Sequence, residues 1–197
     1  MVSIMDETHT LADGTRLVVR DIRPDDAPKL RQGFHALSQA SRYQRFMGQV
    51  ADLTPSMLEY LTRVDGVDHV ALVALRLDPG EREQELVGVA RSIRDERRPH
   101  AAEVAITIAD ELQGQGLGTC MLQALVELDR ARDIDVLLAH ALPSNGAIRR
   151  LLTAHGELRE VEGVLQLRLD GAPHGLAAIA RRVTSVFPAL RMPKRAA

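Results

Sequence analysis

The residues with the clearest capacity for chemistry lie in one stretch, Ala101–Asp133. Its run Gln113-Gly114-Gln115-Gly116-Leu117-Gly118-Thr119 places three glycines within five residues. Such a run turns tightly and brings main-chain N–H groups close to a bound group. Added to the unpaired donors of a following helical turn, those N–H groups make a site for anions, above all phosphate oxygens. The run is not a P-loop, because no Gly-Lys-Ser/Thr follows, and its alternating glycines do not match the dinucleotide spacing G-x-G-x-x-G. Upstream, Glu103 is the lone carboxylate of an otherwise apolar segment, Ala101–Ile108. The one cysteine, Cys120, follows the glycines; it reads as a small packing residue, with a thiol activated by a helix N-terminus as the alternative. No Cys/His/Asp cluster has metal-ligand spacing, so no metal is expected.

A strand, a turn and a helix must position these residues. In Ala101–Ile108, Val104, Ile106 and Ile108 share one face. A helix starting near Gly116 or Leu117 carries Leu117, Met121, Leu125 and Leu128 at helical spacing. Upstream, Arg16–Ile22 reads as a strand after an Asp13-Gly14 turn, and Pro24–Leu37 as a helix with Asp25 as N-cap. Ser38–Met47 is a second short helix, and Thr54-Pro55 opens a third with Leu58 and Leu61 inward. Strands follow over Val67–Leu77 and Leu86–Ile93, and Arg94–His100 is a hairpin connection into the central strand, read as a solvated loop with arginines that meet an acidic substrate as the alternative. Val136–Ala141 is a strand, Ser144–His155 a helix capped by Gly156, and Leu158–Val161 with Val164–Leu169 a last hairpin. Residues 1–10 read as a flexible N-terminus, 11–170 as one domain, and 171–197 as a C-terminal helix (Gly175–Phe187) with a loose tail. Mostly hairpin-connected strands interspersed with helices indicate an α+β, or mixed α/β, sheet domain.

With 45% apolar and 26% charged residues over 197 positions, the composition suits one soluble domain with a substantial core. A formal net charge of -2 and 3% aromatics with no Trp argue against nucleic acid and against an acidic membrane surface as partners. No apolar run approaches the ~18–20 residues that span a bilayer, and no signal-peptide pattern opens the chain. A single cysteine fits a reducing compartment, so the expected location is cytoplasmic.

The glycine run also matches Q/R-x-x-G-x-G/A, and in this the chain resembles the GCN5-related N-acetyltransferases (GNAT), with support from Ala102-Glu103-Val104-Ala105 and Leu142-Pro143-Ser144-Asn145. Arg20-Asp21-Ile22-Arg23-Pro24, Ser41-Arg42-Tyr43 with Arg45-Phe46, Asp68–Ala74 and Val87–Arg91 make the likeness narrower: the catalytic domain of Pat-type bacterial protein lysine acetyltransferases. The resemblance covers residues about 11 to 170 and implies a GNAT fold. That fold has a mixed, mostly antiparallel sheet flanked by helices, in which the fourth and fifth strands (Ala101–Ile108 and Val136–Ala141) run parallel and splay apart. Some relatives carry a cyclic-nucleotide or synthetase-like domain; this chain has room for neither, so regulation by an attached sensor is not expected.

The resemblance implies acetyl-CoA as cosubstrate and an amine acceptor, with a protein lysine preferred over a small-molecule amine. A non-catalytic acyl-CoA sensor is the rival of a different class. The pyrophosphate would lie on Gln113, Gly114, Gln115, Gly116, Leu117, Gly118 and Thr119, and the pantetheine arm on the main chain of Ile106, Thr107 and Ile108. An N–H near Thr107 or Ile108 would meet the oxyanion. Asn145 matches the asparagine that contacts the arm, against an Asn-Gly turn or helix cap as the plain alternative. A lysine ammonium has a pKa of ~10.4, so a base is needed. Glu103 matches that base, with partial burial expected to tune it, whereas a solvated strand end or a pair with Arg91 or Arg94 is the structural alternative. Seven residues after the asparagine many of these enzymes have a tyrosine acid; here the position is Leu152.

Overall fold

The computed structural model describes residues 6–169, so the expected C-terminal helix over Gly175–Phe187 lies outside the described residues. Eight strands build one sheet: β1 (Glu7–Thr10), β2 (Arg16–Asp21), β3 (His69–Leu77), β4 (Glu83–Asp95), β5 (Arg98–Ile108), β6 (Val136–His140), β7 (Leu158–Val161) and β8 (Val164–Arg168). Their order is β1-β2-β3-β4-β5-β6-β8-β7, and only β5 and β6 run parallel. Helices α1 (Ala27–Ala36), α2 (Gln39–Phe46) and α3 (Pro55–Thr62) cover one face. Helix α4 (Leu117–Arg130) covers the other, joined by α5 (Gly146–Thr153).

Strand alternation divides the core in two. On β3, Val70, Leu72 and Ala74 join the α4-side cluster, while Ala71, Val73 and Leu75 join the α1–α3 side. A strand buried on both faces needs an unbroken apolar run, which His69–Leu77 (HVALVALRL) supplies. Helix α4 sends Leu117, Met121, Leu125 and Leu128 into the core at 1% exposure or less, as their spacing predicts.

Three local expectations change. The N-terminus is not loose up to residue 10: Glu7–Thr10 pairs with Arg16–Val19, because the Asp13-Gly14 turn folds it back onto β2. Gly14 takes φ +88 there, and the Asp13 carboxylate accepts the Thr15 N–H at 2.8 Å. The connection after Ile93 is shorter than expected, since β4 and β5 continue to Asp95 and from Arg98 around one turn held by the Asp95 carboxylate. At the start of α1, the organising carboxylate is Asp26 rather than Asp25.

Asp26 is 2% exposed and accepts the Arg23 N–H at 2.7 Å. It also takes a bidentate contact from Arg20, at 2.7 and 2.8 Å, and Arg20 is 1% exposed on β2. The same guanidinium reaches Glu83 of β4 at 2.6 and 2.8 Å, and Lys29 of α1 adds a contact to Glu83 at 3.1 Å. Fork-to-fork pairing suits a charge that has lost its water, and it ties α1 to the sheet. Removing one partner strands the others, so Asp26→Ala is expected to cost roughly 3–5 kcal/mol in urea unfolding, and a loss under about 1 kcal/mol would deny the cluster that role. The hydrogen bond from Arg20 holds Glu83 down from 4.5 to about 2. The folded pKa lies below the unfolded one, so this contribution is complete above pH 4.5 and is lost as pH falls towards 2. Glu83→Gln is expected to flatten the acid limb of thermal midpoint against pH in that window.

Candidate active site

The parallel pairing of β5 with β6 lasts three residues, Ala101–Glu103 against Val136–Leu138, and then the strands part. From Val104 to Ile108, β5 keeps its partner β4 on one edge only. The direction of its main chain follows from the ladder. Ala109 donates to Val87 across β4, and Asp135 donates to the His100 carbonyl beside β6. Narrow and wide pairs alternate in an antiparallel ladder, so Glu103, Ala105 and Thr107 bond to β4, whereas Val104, Ile106 and Ile108 turn their main-chain groups into the opening. Thr107, expected on the pantetheine side, therefore has its main chain committed to Val89; its side chain lines a small cavity of about 60 Å³ beneath α1 and α2. The Ile108 carbonyl accepts Gln113 Nε2 at 3.0 Å, which leaves its N–H for the opening.

At the mouth of the opening the glycine run leads into α4. Gly114 and Gly116 adopt φ +75 and +89, a region costly for other residues, and Gly116 is the N-cap of α4. A Cβ at either position would meet nothing within 4 Å, so the cradle is open to a ligand rather than filled by protein. Among the described residues, no acceptor takes the N–H groups of Gly114 through Thr119, while Gln113 and Cys120 on either side are bonded to Asp110 and Gly116. Six consecutive donors at a helix start fit the diphosphate of a coenzyme A ester.

On the face opposite α4, a cavity of about 340 Å³ is walled by α2, α3, β4 and β5, with Arg45, Tyr60, Arg91 and Glu103 as its polar groups. Glu103 is exposed here instead of partly buried; it stands where β5 and β6 part, in the lining of this open cavity. Neither expected structural partner holds it. Arg91 donates to His69 Nε2 and to the Leu61 carbonyl, and Arg94 to Asp68, Pro99 and Arg132. Burial, reinforced by Arg45, lowers the Arg91 guanidinium to about 10, and burial with the Arg91 charge pushes His69 to about 4. His69 is thus a neutral acceptor and a structural residue.

The remaining candidates separate cleanly. Asn145 caps α5, its Oδ1 accepting the Ile148 N–H at 3.2 Å, so the amide NH₂ alone is left for a ligand. Leu152 is 1% exposed in the core. Cys120 is buried, which raises its thiol to about 12 and makes it a packing residue. Sequence reasoning assigned no role to Asp110. Its carboxylate takes the Ser38 N–H at 2.8 Å, Ser38 Oγ at 2.9 Å and Ser41 Oγ at 2.7 Å, so it ties the start of α2 to the segment just before the glycines. The Ser38-x-x-Ser41 spacing was the available signal. Among the described residues no group of three or more His, Cys, Asp or Glu could hold a metal ion, and no helix is long and apolar enough to cross a membrane.

The sequence matches the Acetyltransferase (GNAT) domain family over residues 16–156. It is 32% identical over 149 residues to Acetyltransferase PA5475 of Pseudomonas aeruginosa, covering 75% of this chain and 77% of that protein. Identity to Acetyltransferase Pat of Mycolicibacterium smegmatis is 30% over 162 residues, 81% of this chain and 47% of Pat, so the chain spans about half of that relative. The fold superposes on the crystal structure of the GNAT domain of S. lividans PAT with a TM-score of 0.72 at 27% identity, covering 84% of this chain and 97% of that one. Sequence and fold thus point to one family: the chain belongs to the GNAT acetyltransferases, as an acetyl-CoA-dependent acyltransferase related to the Pat-type bacterial enzymes.

Proposed function

We propose that this acetyltransferase transfers the acetyl group to a protein lysine by direct attack, with Glu103 as general base. The observation that carries the reading is the position of Glu103. It stands where β5 and β6 separate, it faces the 340 Å³ cavity, and it makes no hydrogen bond or ion pair among the described residues. The six open N–H groups of Gly114–Thr119 would hold the diphosphate, with the Gln113 side chain bracing the strand end behind them. The pantetheine amides would pair with Ile106 and Ile108 like an added strand, and the Asn145 NH₂ would contact the arm. That arrangement would point the thioester along β5 towards the apex, where an unpaired main-chain N–H of the opened edge would meet the developing oxyanion.

In the reaction the amine nitrogen bonds to the acetyl carbon and the carbon–sulfur bond breaks. One ammonium proton passes to Glu103, directly or through water, before attack; the second leaves the nitrogen as the tetrahedral intermediate collapses and goes through water to the departing thiolate. A protein lysine is favoured because the proposed base is reachable from solvent and because two of the relatives above are named Pat or PAT.

Glu103→Gln keeps size and removes basicity. It is expected to lower kcat at neutral pH about 10²–10⁴-fold in a thiol-release assay with lysine peptides, while calorimetric affinity for coenzyme A stays within about twofold. An unchanged rate would take the base role from Glu103, and coenzyme A binding with no amine turned over by the native protein would leave a sensor. Gly116→Val forces a β-branched residue to φ +89 at the cradle. Affinity for coenzyme A should fall at least about tenfold; a dissociation constant equal to the native value, in a protein with native circular dichroism, would move the diphosphate elsewhere.

A further inference from the structure

The acceptor cavity is cationic. Arg45 of α2 and Arg91 of β4 both line it, against the single carboxylate of Glu103. The two guanidinium groups differ in what they already hold. Arg91 is 3% exposed and committed to His69 and to the Leu61 carbonyl, which makes it part of the wall. Arg45 has no hydrogen bond or ion pair among the described residues. The Phe46 ring lies beneath it, with the ring centroid 5.0 Å from the guanidinium carbon. It is partly buried among Phe46, Met57 and Leu61, and burial lowers its pKa against the pull of Glu103. No Arg45 nitrogen is both buried and unpartnered, so its donors stand in the cavity within reach of solvent and held by no acceptor among the described residues, free to be taken by an entering anion. Its five donors are shaped for a carboxylate.

We infer that Arg45 is a specificity residue that binds a carboxylate of the acceptor, so that the preferred substrate is an amine carrying an acidic group close by. This rests on the proposed acceptor role of the cavity. Glu103 and Arg45 then divide the substrate between them, the first receiving the amine proton and the second fixing the carboxylate. Helix α2 is suited to the task because its N-terminal turn is fastened at Ser38 and Ser41 by Asp110, so Arg45 projects from a held element rather than from a free loop. Positive charge around the incoming amine also disfavours its ammonium form, which works in the same direction as the base. One carboxylate chemistry can come from two sources: the side chain of a Glu or Asp flanking a protein lysine, or the free carboxylate of a small amino acid.

Two matched pairs of acceptors separate these sources. The first is a lysine peptide with Glu beside the lysine against the same peptide with Gln. The second is Nα-acetyl-lysine against its carboxamide. With native protein at low ionic strength, the acidic member of at least one pair is expected to show a kcat/KM about tenfold higher or more. The pair that discriminates identifies the source. In Arg45→Gln the ratio should approach one, and in Arg45→Lys it should be intermediate, with coenzyme A affinity checked in each variant by calorimetry. Equal kcat/KM within both pairs for the native protein overturns the inference while leaving acetyl transfer intact, as does a preference that survives in Arg45→Gln. Coenzyme A binding with no turnover of any acceptor overturns the catalytic reading and this inference together.

Discussion

The site depends on the early separation of two strands. A parallel pair ordinarily satisfies the facing main-chain groups of both members along their shared length. Here that pairing stops after Glu103 and Leu138, and five further residues of β5, roughly 16 Å at a strand's rise, present one edge to an opening. Buried N–H and C=O groups without partners are costly, and an unpaired strand edge accepts another extended chain. The sequence supplies reasons for the parting. Strand β6 ends at His140, and Pro143 lacks the donor needed to continue a ladder. The start of α4 and the body of α5 then approach β5 instead: a Cβ on Gly118 would sit 3.7 Å from Ile108 and 3.8 Å from Leu151. The opening is therefore held by packing on both sides.

Strand β5 serves as the common wall of two sites because a strand has two independent directions. Its main chain at Ile106 and Ile108 faces along the sheet into the opening. Its side chains at Glu103 and Ala105 stand on the α1–α3 face, in the cavity walled by Arg45 and Arg91. The ester and the amine can thus approach the same few residues from different directions without competing for the same atoms. Asp110 extends this economy beyond the strand. It lies in the short link between β5 and the glycine run, yet its carboxylate holds the first turn of α2, so the glycine run and α2 share one support.

What could be read from the chain follows how local each cause is. The strand, glycine turn and helix around Gly116 were legible because each depends on residues within a few positions: period-two apolarity, permitted positive φ, and helical spacing of Leu117, Met121, Leu125 and Leu128. Glu103 was legible as a misfit, a charge in an apolar strand. The failures needed distant partners. Glu7–Thr10 looks like a loose polar tail until it is set against Leu17 and Val19, and its strand character comes from that pairing. Asp25 and Asp26 are equivalent caps by propensity, and only Arg20, buried on β2, selects Asp26. Thr107 was assigned with its neighbours to the pantetheine arm, but the ladder's parity turns its main chain the other way. Arg45 belonged to a recognisable motif without a role, since its lack of a partner is a property of the folded cavity.

The leaving group is the remaining asymmetry of the site, and the chemistry accounts for it. Attack requires a neutral amine, and an ammonium with a pKa near ~10.4 is several powers of ten from that state at neutral pH. Departure requires only that a thiolate be tolerated, and a thiol near ~8.5 loses its proton far more readily than an alcohol. The demand for a base therefore exceeds the demand for an acid. The residues follow that order: the apex carries an exposed carboxylate, while Leu152, seven residues after Asn145, is 1% exposed and packed into the core between α5 and the sheet. A hydroxyl there would need a partner that this apolar cluster does not offer. The chain has put that position into packing α5, the helix that helps hold the strands apart.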